Sequence, residues 1–256
     1  MTIGIIGLAL LFALTAALYA SVGFGGGSTY IALLALAALD YQALPVIALL
    51  CNIIVVTGGT LRFQSRGLID WPKILPILML SVPAAWLGGR LELEKDSFLL
   101  LLGLSLAAAG LLLIIEPFIK RAGGNEPPDR RWTSHRLFAP AVGTGIGFLS
   151  GMVGIGGGIF LAPILLLTRW ANSRRIAATA SVFILVNSIA GLGGQLMKSG
   201  LSSGGETILA YWPLFVGVLL GGQIGSILAS KALPEICIRR LTALLILYVA
   251  LRILLA

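Results

Sequence analysis

The chain has 256 residues, of which 58% are hydrophobic and only 11% are charged, with a mean hydropathy of +1.01. One soluble core cannot bury that much apolar material, so the composition excludes an ordinary soluble domain and predicts a membrane protein. The net charge of +8 does not indicate nucleic acid binding, because the basic residues lie in short connections between apolar segments. In a membrane protein such residues report topology. The expected partner is the lipid bilayer, and no nucleic acid is expected.

Ten apolar segments, five in each half of the chain, are predicted to be α-helical. Several of them run for roughly 18–20 residues with almost no charge, the length that a helix needs to cross the hydrocarbon layer. The predicted segments are 3–22, 27–39, 43–61, 71–89 and 97–119 in the first half, and 137–150, 158–168, 176–196, 208–230 and 236–255 in the second. Residues 1–119 and 137–256 are therefore predicted to be two membrane repeats. Residues 120–136, rich in Pro, Gly and charge, are predicted to link them.

The two halves carry the same landmarks in the same order. Gly23–Gly27 matches Gly154–Gly158, Asn52 ahead of Gly58 matches Asn187 ahead of Gly193, and Trp71-Pro72 matches Trp212-Pro213. The offset between matched positions grows from 131 to 135 to 141 along the chain, as duplication followed by loop insertion produces. The sequence thus predicts an internal repeat, with a glycine-rich break after the first segment of each half.

The distribution of Lys and Arg predicts how the segments cross the membrane. If the two segments around each break form a hairpin, 14 of the 18 basic residues lie on one side; if each broken pair is one crossing, the division is 10 against 8. Cytoplasmic loops are enriched in Lys and Arg, so the hairpin arrangement is favoured. Five segments per half is an odd number, so the second half is expected to be inverted. Both termini are then predicted to lie outside the inner membrane, in the periplasm, with linker 120–136 in the cytoplasm.

The length of the segments bears on the hairpins themselves. Segments 137–150 and 158–168 would span only about 16–21 Å at 1.5 Å per residue, which is the length of half-helices. A re-entrant hairpin and two tilted full crossings give the same charge count, so both remain open. The fold class is an all-α membrane protein of two inverted five-segment repeats, each with a glycine-broken hairpin followed by three transmembrane helices.

The two glycine breaks are predicted to form one substrate site. Glycines leave backbone N–H groups unshielded, and the helix that follows each break points its positive dipole end at the same place, which favours an anion. Two such tips entering from opposite faces would meet near the midplane, as in transporters with inverted repeats. The candidate substrate-binding residues are Gly23, Gly25, Gly26, Gly27, Ser28, Thr29 and Asn52 in the first half and Gly154, Gly156, Gly157, Gly158 and Asn187 in the second.

Each of these features has a simpler structural interpretation. For the glycines it is that they only let helices pack closely, although their duplication in matched positions argues against that. Asn52 and Asn187 lie near the centres of apolar helices, where they make an interhelical hydrogen bond, donate to substrate, or hold the glycine tips in place. The small-residue stripe of Gly217, Gly221 and Gly225 predicts close packing against another helix, either within the chain or across a homodimer.

No enzyme, metal site or cofactor is predicted. The sequence has no His, Cys, Asp and Glu constellation suited to metal binding or nucleophilic catalysis. The favoured function is a secondary carrier of a small anion that exposes a midplane site alternately to each side. A channel or facilitator using the same site is the alternative.

The duplicated motif resembles that of a known family. The stretches GFGGGS at 23–28 and GMVGIGGGIFLAPILLL at 151–167, together with the basic central loop, resemble the sulfite exporter TauE/SafE family of bacterial membrane permeases. The resemblance covers essentially the whole chain and includes Pro163, which the first half does not match. It implies export of sulfur-containing anions such as sulfite or sulfonates, or of related small organic acids.

Overall fold

The computed structural model describes residues 4–22, 25–123, 138–168, 170–199, 201–228 and 235–255. Throughout this part the regular elements are α-helices, which confirms the all-α prediction. They are α1 (Ile5–Val22), α2 (Gly27–Leu36), α3 (Ala43–Ser65), α4 (Trp71–Arg90), α5 (Lys95–Gly123), α6 (Phe138–Val153), α7 (Gly158–Leu167), α8 (Ser173–Ser199), α9 (Leu201–Ala210), α10 (Trp212–Leu228) and α11 (Glu235–Leu254).

The outer surface of the helix bundle is apolar. Large hydrophobic side chains such as Ile6, Leu10, Met79 and Leu209 are each more than two-thirds exposed. Helices α3, α4, α5 and α8 are long and apolar enough to cross a membrane, judged by length and composition. A bundle with apolar side chains both inside and outside is solvated by lipid rather than water, so the protein is an integral membrane protein.

Helices from the two halves pack against each other through small residues. On α10, Gly217, Gly221 and Gly225 lie directly against the backbone carbonyls of Ala9, Ala13 and Ala17 on α1. The glycine stripe therefore packs within the chain. Both residue numbers rise together along this contact, so α1 and α10 are parallel.

A second contact of the same kind joins α4 to α6. Gly143, Gly147 and Gly151 of α6 lie against Ile77, Ser81 and Ala85 of α4, again with both numbers rising together. Close approach of this kind needs glycine, because a side chain would occupy the space of the opposing backbone.

Two further pairs of helices pack antiparallel. Leu49 of α3 lies near Gly191 of α8, and the Thr60 hydroxyl lies 2.8 Å from the Ser181 hydroxyl, so the residue numbers run in opposite directions. In the same way α5 approaches α11 with Gly103 beside Leu254 and Gly110 beside Leu247.

The helix boundaries correct the sequence prediction in two places. Predicted segment 208–230 is not one helix: its first residues are the end of α9, which begins at Leu201, and α10 begins at Trp212, after Tyr211. Pro213 explains the boundary, because proline has no amide N–H for a continuing helix and is accepted in a first turn. Helix α5 extends to Gly123, so the first residues of predicted linker 120–136 continue the helix. Its residues 124–136 lie outside the described part.

Candidate functional site

The first glycine break turns the chain back on α1. Gly26, with φ 94°, is the N-cap of α2, and a Cβ at this position would lie 3.2 Å from the Tyr19 ring. The Tyr19 and Thr29 hydroxyls lie 3.0 Å apart, and the rings of Phe12 and Tyr30 stack at 4.9 Å. These contacts between α1 and α2 are those of a helical hairpin. The candidate residue Gly23 lies outside the described residues.

The second break repeats the left-handed glycine N-cap of the first, but it differs at the preceding position, where Gly156 has a positive φ and its match Gly25 does not. Gly154, Gly156 and Gly157 have φ values of 88°, 84° and 74°, a left-handed conformation that is strained for residues with a side chain. Gly157 is the N-cap of α7, and a Cβ there would lie 2.9 Å from Ile146 and 3.4 Å from Ser150.

The contacts that the two N-cap glycines make with the helix before each break correspond position by position, although Gly157 also lies against Phe183. Gly26 contacts Thr15 and Tyr19 of its own half, whereas Gly157 contacts Ile146 and Ser150. Adding the sequence offset of 131 to the first set of residue numbers gives the second set. The repeat detected in the sequence is thus also present in the packing of these two glycines against the preceding helix.

The two breaks meet at Asn52, near the middle of α3. The fully buried Asn52 side chain donates from Nδ2 to the Ile155 carbonyl of the second break, at 3.3 Å. A Cβ on Gly156 would lie 2.5 Å from the same Nδ2. On the other side of the amide, a Cβ on Gly25 would lie 2.7 Å from Asn52 Oδ1. Asn52 therefore bridges the two breaks.

Gly27 and Ile184 complete the junction. A Cβ on Gly27 would overlap both the Ile155 carbonyl oxygen and Asn52 Nδ2. The Ile184 Cγ2, on α8, would lie 3.3 Å from a Cβ on Gly25 and 3.1 Å from one on Gly156. The glycines of both breaks are thus required by close approach, and the junction lies between the middles of α3 and α8.

Two helix N-termini are directed at this junction. Both α2 and α7 have a glycine N-cap, so no N-cap side chain accepts from the N–H groups of their first turns. Uncapped N–H groups and the positive end of the helix dipole together attract negative charge. Ser28 and Thr29, in the first turn of α2, are buried beside them, and Gly158 opens α7.

Asn187 occupies a different environment from Asn52. It is fully buried, but its Nδ2 donates to the Phe183 carbonyl of its own helix at 2.8 Å. It is not among the three atoms nearest to a Cβ at any described glycine of the two breaks. Its Oδ1 accepts no hydrogen bond from the described residues. The structure therefore brings Asn52 to both breaks and leaves Asn187 bonded within α8.

Gln195 is a residue of the site region that the candidate set omits. Its Nε2 donates to the carbonyls of Gly151 and Met152 at 2.9 and 3.3 Å. These carbonyls belong to the last turn of α6, where helical oxygens have no intrahelical partner. Gln195 thus caps the helix that leads into the second break. A glutamine in an apolar helix signals such a role, but the sequence does not name its partner.

The described residues contain no group of three or more His, Cys, Asp and Glu side chains that is placed to hold a metal ion. The atoms that surround the junction are backbone N–H and carbonyl groups, one asparagine amide, the Ser28 and Thr29 hydroxyls and apolar side chains. Hydrogen bonds and helix dipoles are the interactions that such an arrangement offers to a small polar solute.

The architecture and this junction define the chain as a helical membrane protein with two converging helix breaks, a class to which many transporters belong. Residues 8–253 match the family model described as Sulfite exporter TauE/SafE. The chain is also 33% identical, over 97% of its length and 98% of the other's, to "Probable membrane transporter protein y4hK" of Sinorhizobium fredii (strain NBRC 101917 / NGR234). No solved structure matches it.

The chain therefore belongs to the sulfite exporter TauE/SafE family of membrane transporters, as its glycine motifs predicted. Membership places it among transport proteins rather than enzymes.

Proposed function

We propose that the protein is a secondary carrier that exports small sulfur-containing or organic anions, such as sulfite or sulfonates, across the inner membrane. The observation that carries the proposal is the junction at Asn52, where two uncapped helix N-termini converge midway along α3 and α8. Fixed N–H groups in a site away from water bind an anion strongly without requiring a buried cation. The proposed binding residues are the glycines of the two breaks with Ser28, Thr29 and Asn52. Asn187, whose amide donates within its own helix, stays a prediction of the sequence.

The helix packing supports an inverted arrangement of the halves. The first helix of each half packs in parallel on the helix of the fourth predicted segment of the other half, as α1 does on α10 and α6 on α4. Matched helices pack antiparallel on each other, as α3 does on α8 and α5 on α11. A two-fold axis perpendicular to the helices produces this pattern, and in a bilayer that axis lies in the membrane plane. The basic residues then put the termini outside and residues 120–136 in the cytoplasm.

The contact between the breaks favours a carrier over a channel. Gly27, Asn52 and Ile155 are in direct contact, so a solute passes only if the two breaks separate. Separation of one repeat from the other about a fixed site is alternating access. A channel or facilitator remains the alternative, and a homodimer of such carriers is compatible with the apolar outer surface.

Flux into proteoliposomes tests the proposal. Sulfite, a sulfonate and an unrelated carboxylate are compared with and without a proton gradient, with protein-free liposomes as the control. Saturable flux of the sulfur anions supports the carrier. Conductance without saturation supports the channel, and flux equal to that of empty liposomes for every anion refutes transport of this substrate class.

A further inference from the structure

The amide of Asn52 has a fixed orientation. Its Nδ2 donates to the Ile155 carbonyl at 3.3 Å, and turning the amide over would place Oδ1 against that carbonyl oxygen, two acceptors in contact. Oδ1 therefore faces Gly25 of the first break, 2.7 Å from where a Cβ would stand on that residue, whereas Gly27 lies against both Nδ2 and Oδ1. It is fully buried and has no hydrogen-bond donor among the described residues.

A buried carbonyl oxygen without a donor is unfavourable, so such a group inside a binding site indicates what its ligand supplies. The first-turn N–H groups of α2 attract negatively charged oxygens, whereas Asn52 Oδ1, immediately beside them, repels an oxygen that carries only lone pairs. An oxyanion with a hydroxyl group satisfies both, because its charged oxygens accept from the N–H groups and its hydroxyl donates to Oδ1.

Resting on the proposed function, we propose that the site selects small oxyanions that carry a hydrogen-bond donor on the oxyanion head. Hydrogensulfite, which has one hydroxyl and two unprotonated oxygens, is the simplest member of this class. The sulfite dianion and simple alkanesulfonates lack the donor. Asn52 is then the residue that determines specificity. Its Oδ1 accepts a hydrogen bond from the substrate hydroxyl, so it distinguishes anions by that donor rather than by their charge.

A pair of isosteric monoanions tests this inference. Hydrogensulfite and methanesulfinate have the same charge and nearly the same size, with a hydroxyl in one and a methyl group in the other. Saturable uptake of each into proteoliposomes is measured without oxygen, at a mildly acidic pH where the sulfite pool is mainly the monoanion. We expect a preference of roughly ten- to hundred-fold for hydrogensulfite, because methanesulfinate leaves Oδ1 unpaired.

Equal saturable uptake of the two anions overturns the inference and leaves the proposed function standing. Uptake of neither, with sulfonates also excluded, overturns the proposed function and this inference with it. The two failures are therefore distinguishable.

The variant Asn52→Ala removes the acceptor and should bring the ratio of the two uptake rates close to one. Thr57→Val is the matched control, because Thr57 lies on the same helix and its hydroxyl donates to the Ile53 carbonyl of that helix at 2.6 Å. The control should keep the preference. An undiminished preference in Asn52→Ala overturns the assignment of Oδ1, and if that variant does not insert, the isosteric pair on the unmodified protein decides.

Discussion

Replacing Gly27 by alanine adds one methyl group at the point where the two breaks touch. Gly27 has ordinary helical backbone geometry, so the substitution introduces no strain in φ. A Cβ there, however, overlaps the Ile155 carbonyl oxygen and Asn52 Nδ2. The methyl group can be accommodated only if the two breaks move apart.

The energetic cost follows from three contributions. Overpacking of a well-packed interior costs about 1–3 kcal/mol. Loss of the hydrogen bond from Asn52 to Ile155 adds about 1 kcal/mol, and the better helix propensity of alanine returns at most about 1 kcal/mol. The conformation with the breaks in contact is thus disfavoured by about 1–3 kcal/mol, which lowers its population relative to conformations with the breaks apart by roughly 5- to 150-fold.

Transport should fall by up to this factor, because the proposed carrier must pass through the conformation with the breaks in contact in each cycle. Initial rates of anion uptake in proteoliposomes measure this, and the thermal unfolding midpoint of the purified protein should fall as well. Gly58→Ala is the matched control. Gly58 lies on α3, and the nearest atom to a Cβ added there is Arg62 Nη2 at 3.7 Å. The uptake rate and the unfolding midpoint of this variant should therefore stay at or slightly above those of the parent protein. A Gly27→Ala protein with the uptake rate and unfolding midpoint of the parent would refute the contact between the two breaks.

Substitutions at three other places give further predictions. Gly26→Val and Gly157→Val should each reduce anion flux to background while the protein still inserts, because a β-branched residue at positive φ distorts the break. Undiminished flux in both variants would show that the breaks take no part in transport. Gln195→Leu should destabilise the second break by about 1–3 kcal/mol, measured as a lower unfolding midpoint, and a parental midpoint would contradict the cap. Gly221→Val should abolish stable folding, measured by protease protection, because a Cβ there overlaps the Ala13 carbonyl. Gly222→Ala should be tolerated, because the nearest atom to a Cβ at Gly222 is Val55 Cγ2 at 3.8 Å.

The sequence predicts the general fold because strong local signals determine it. Apolar runs longer than the bilayer requires predict helices such as α3, α4 and α8, and glycine clusters predict where α2 and α7 begin. The separate helix α9 was not predicted, because its polar residues match neither a membrane span nor a charged loop. It forms in contact with α3 and α8, which is a tertiary effect that no local pattern reports.

The site was predictable to the extent that it depends on the repeat. Matched glycine clusters indicated two breaks, and the contacts that Gly26 and Gly157 make with the helix before each break correspond residue by residue. The separate roles of the two asparagines were not predictable, since the sequence gives Asn52 and Asn187 the same setting. Only the packing shows that Asn52 reaches Ile155 and that Asn187 donates to Phe183 of its own helix.

This difference between the asparagines bears on how a duplicated carrier becomes specific. The backbone of each break supplies the same element, a helix start with free N–H groups, and two equivalent donors alone would accept any anion of suitable size. One acceptor placed on only one side makes the junction directional: the face near Gly25 offers Oδ1 and the face near Ile155 does not. In the proposed carrier, the repeat thus provides affinity for negative charge, whereas discrimination among anions depends on the position at which the two halves have diverged.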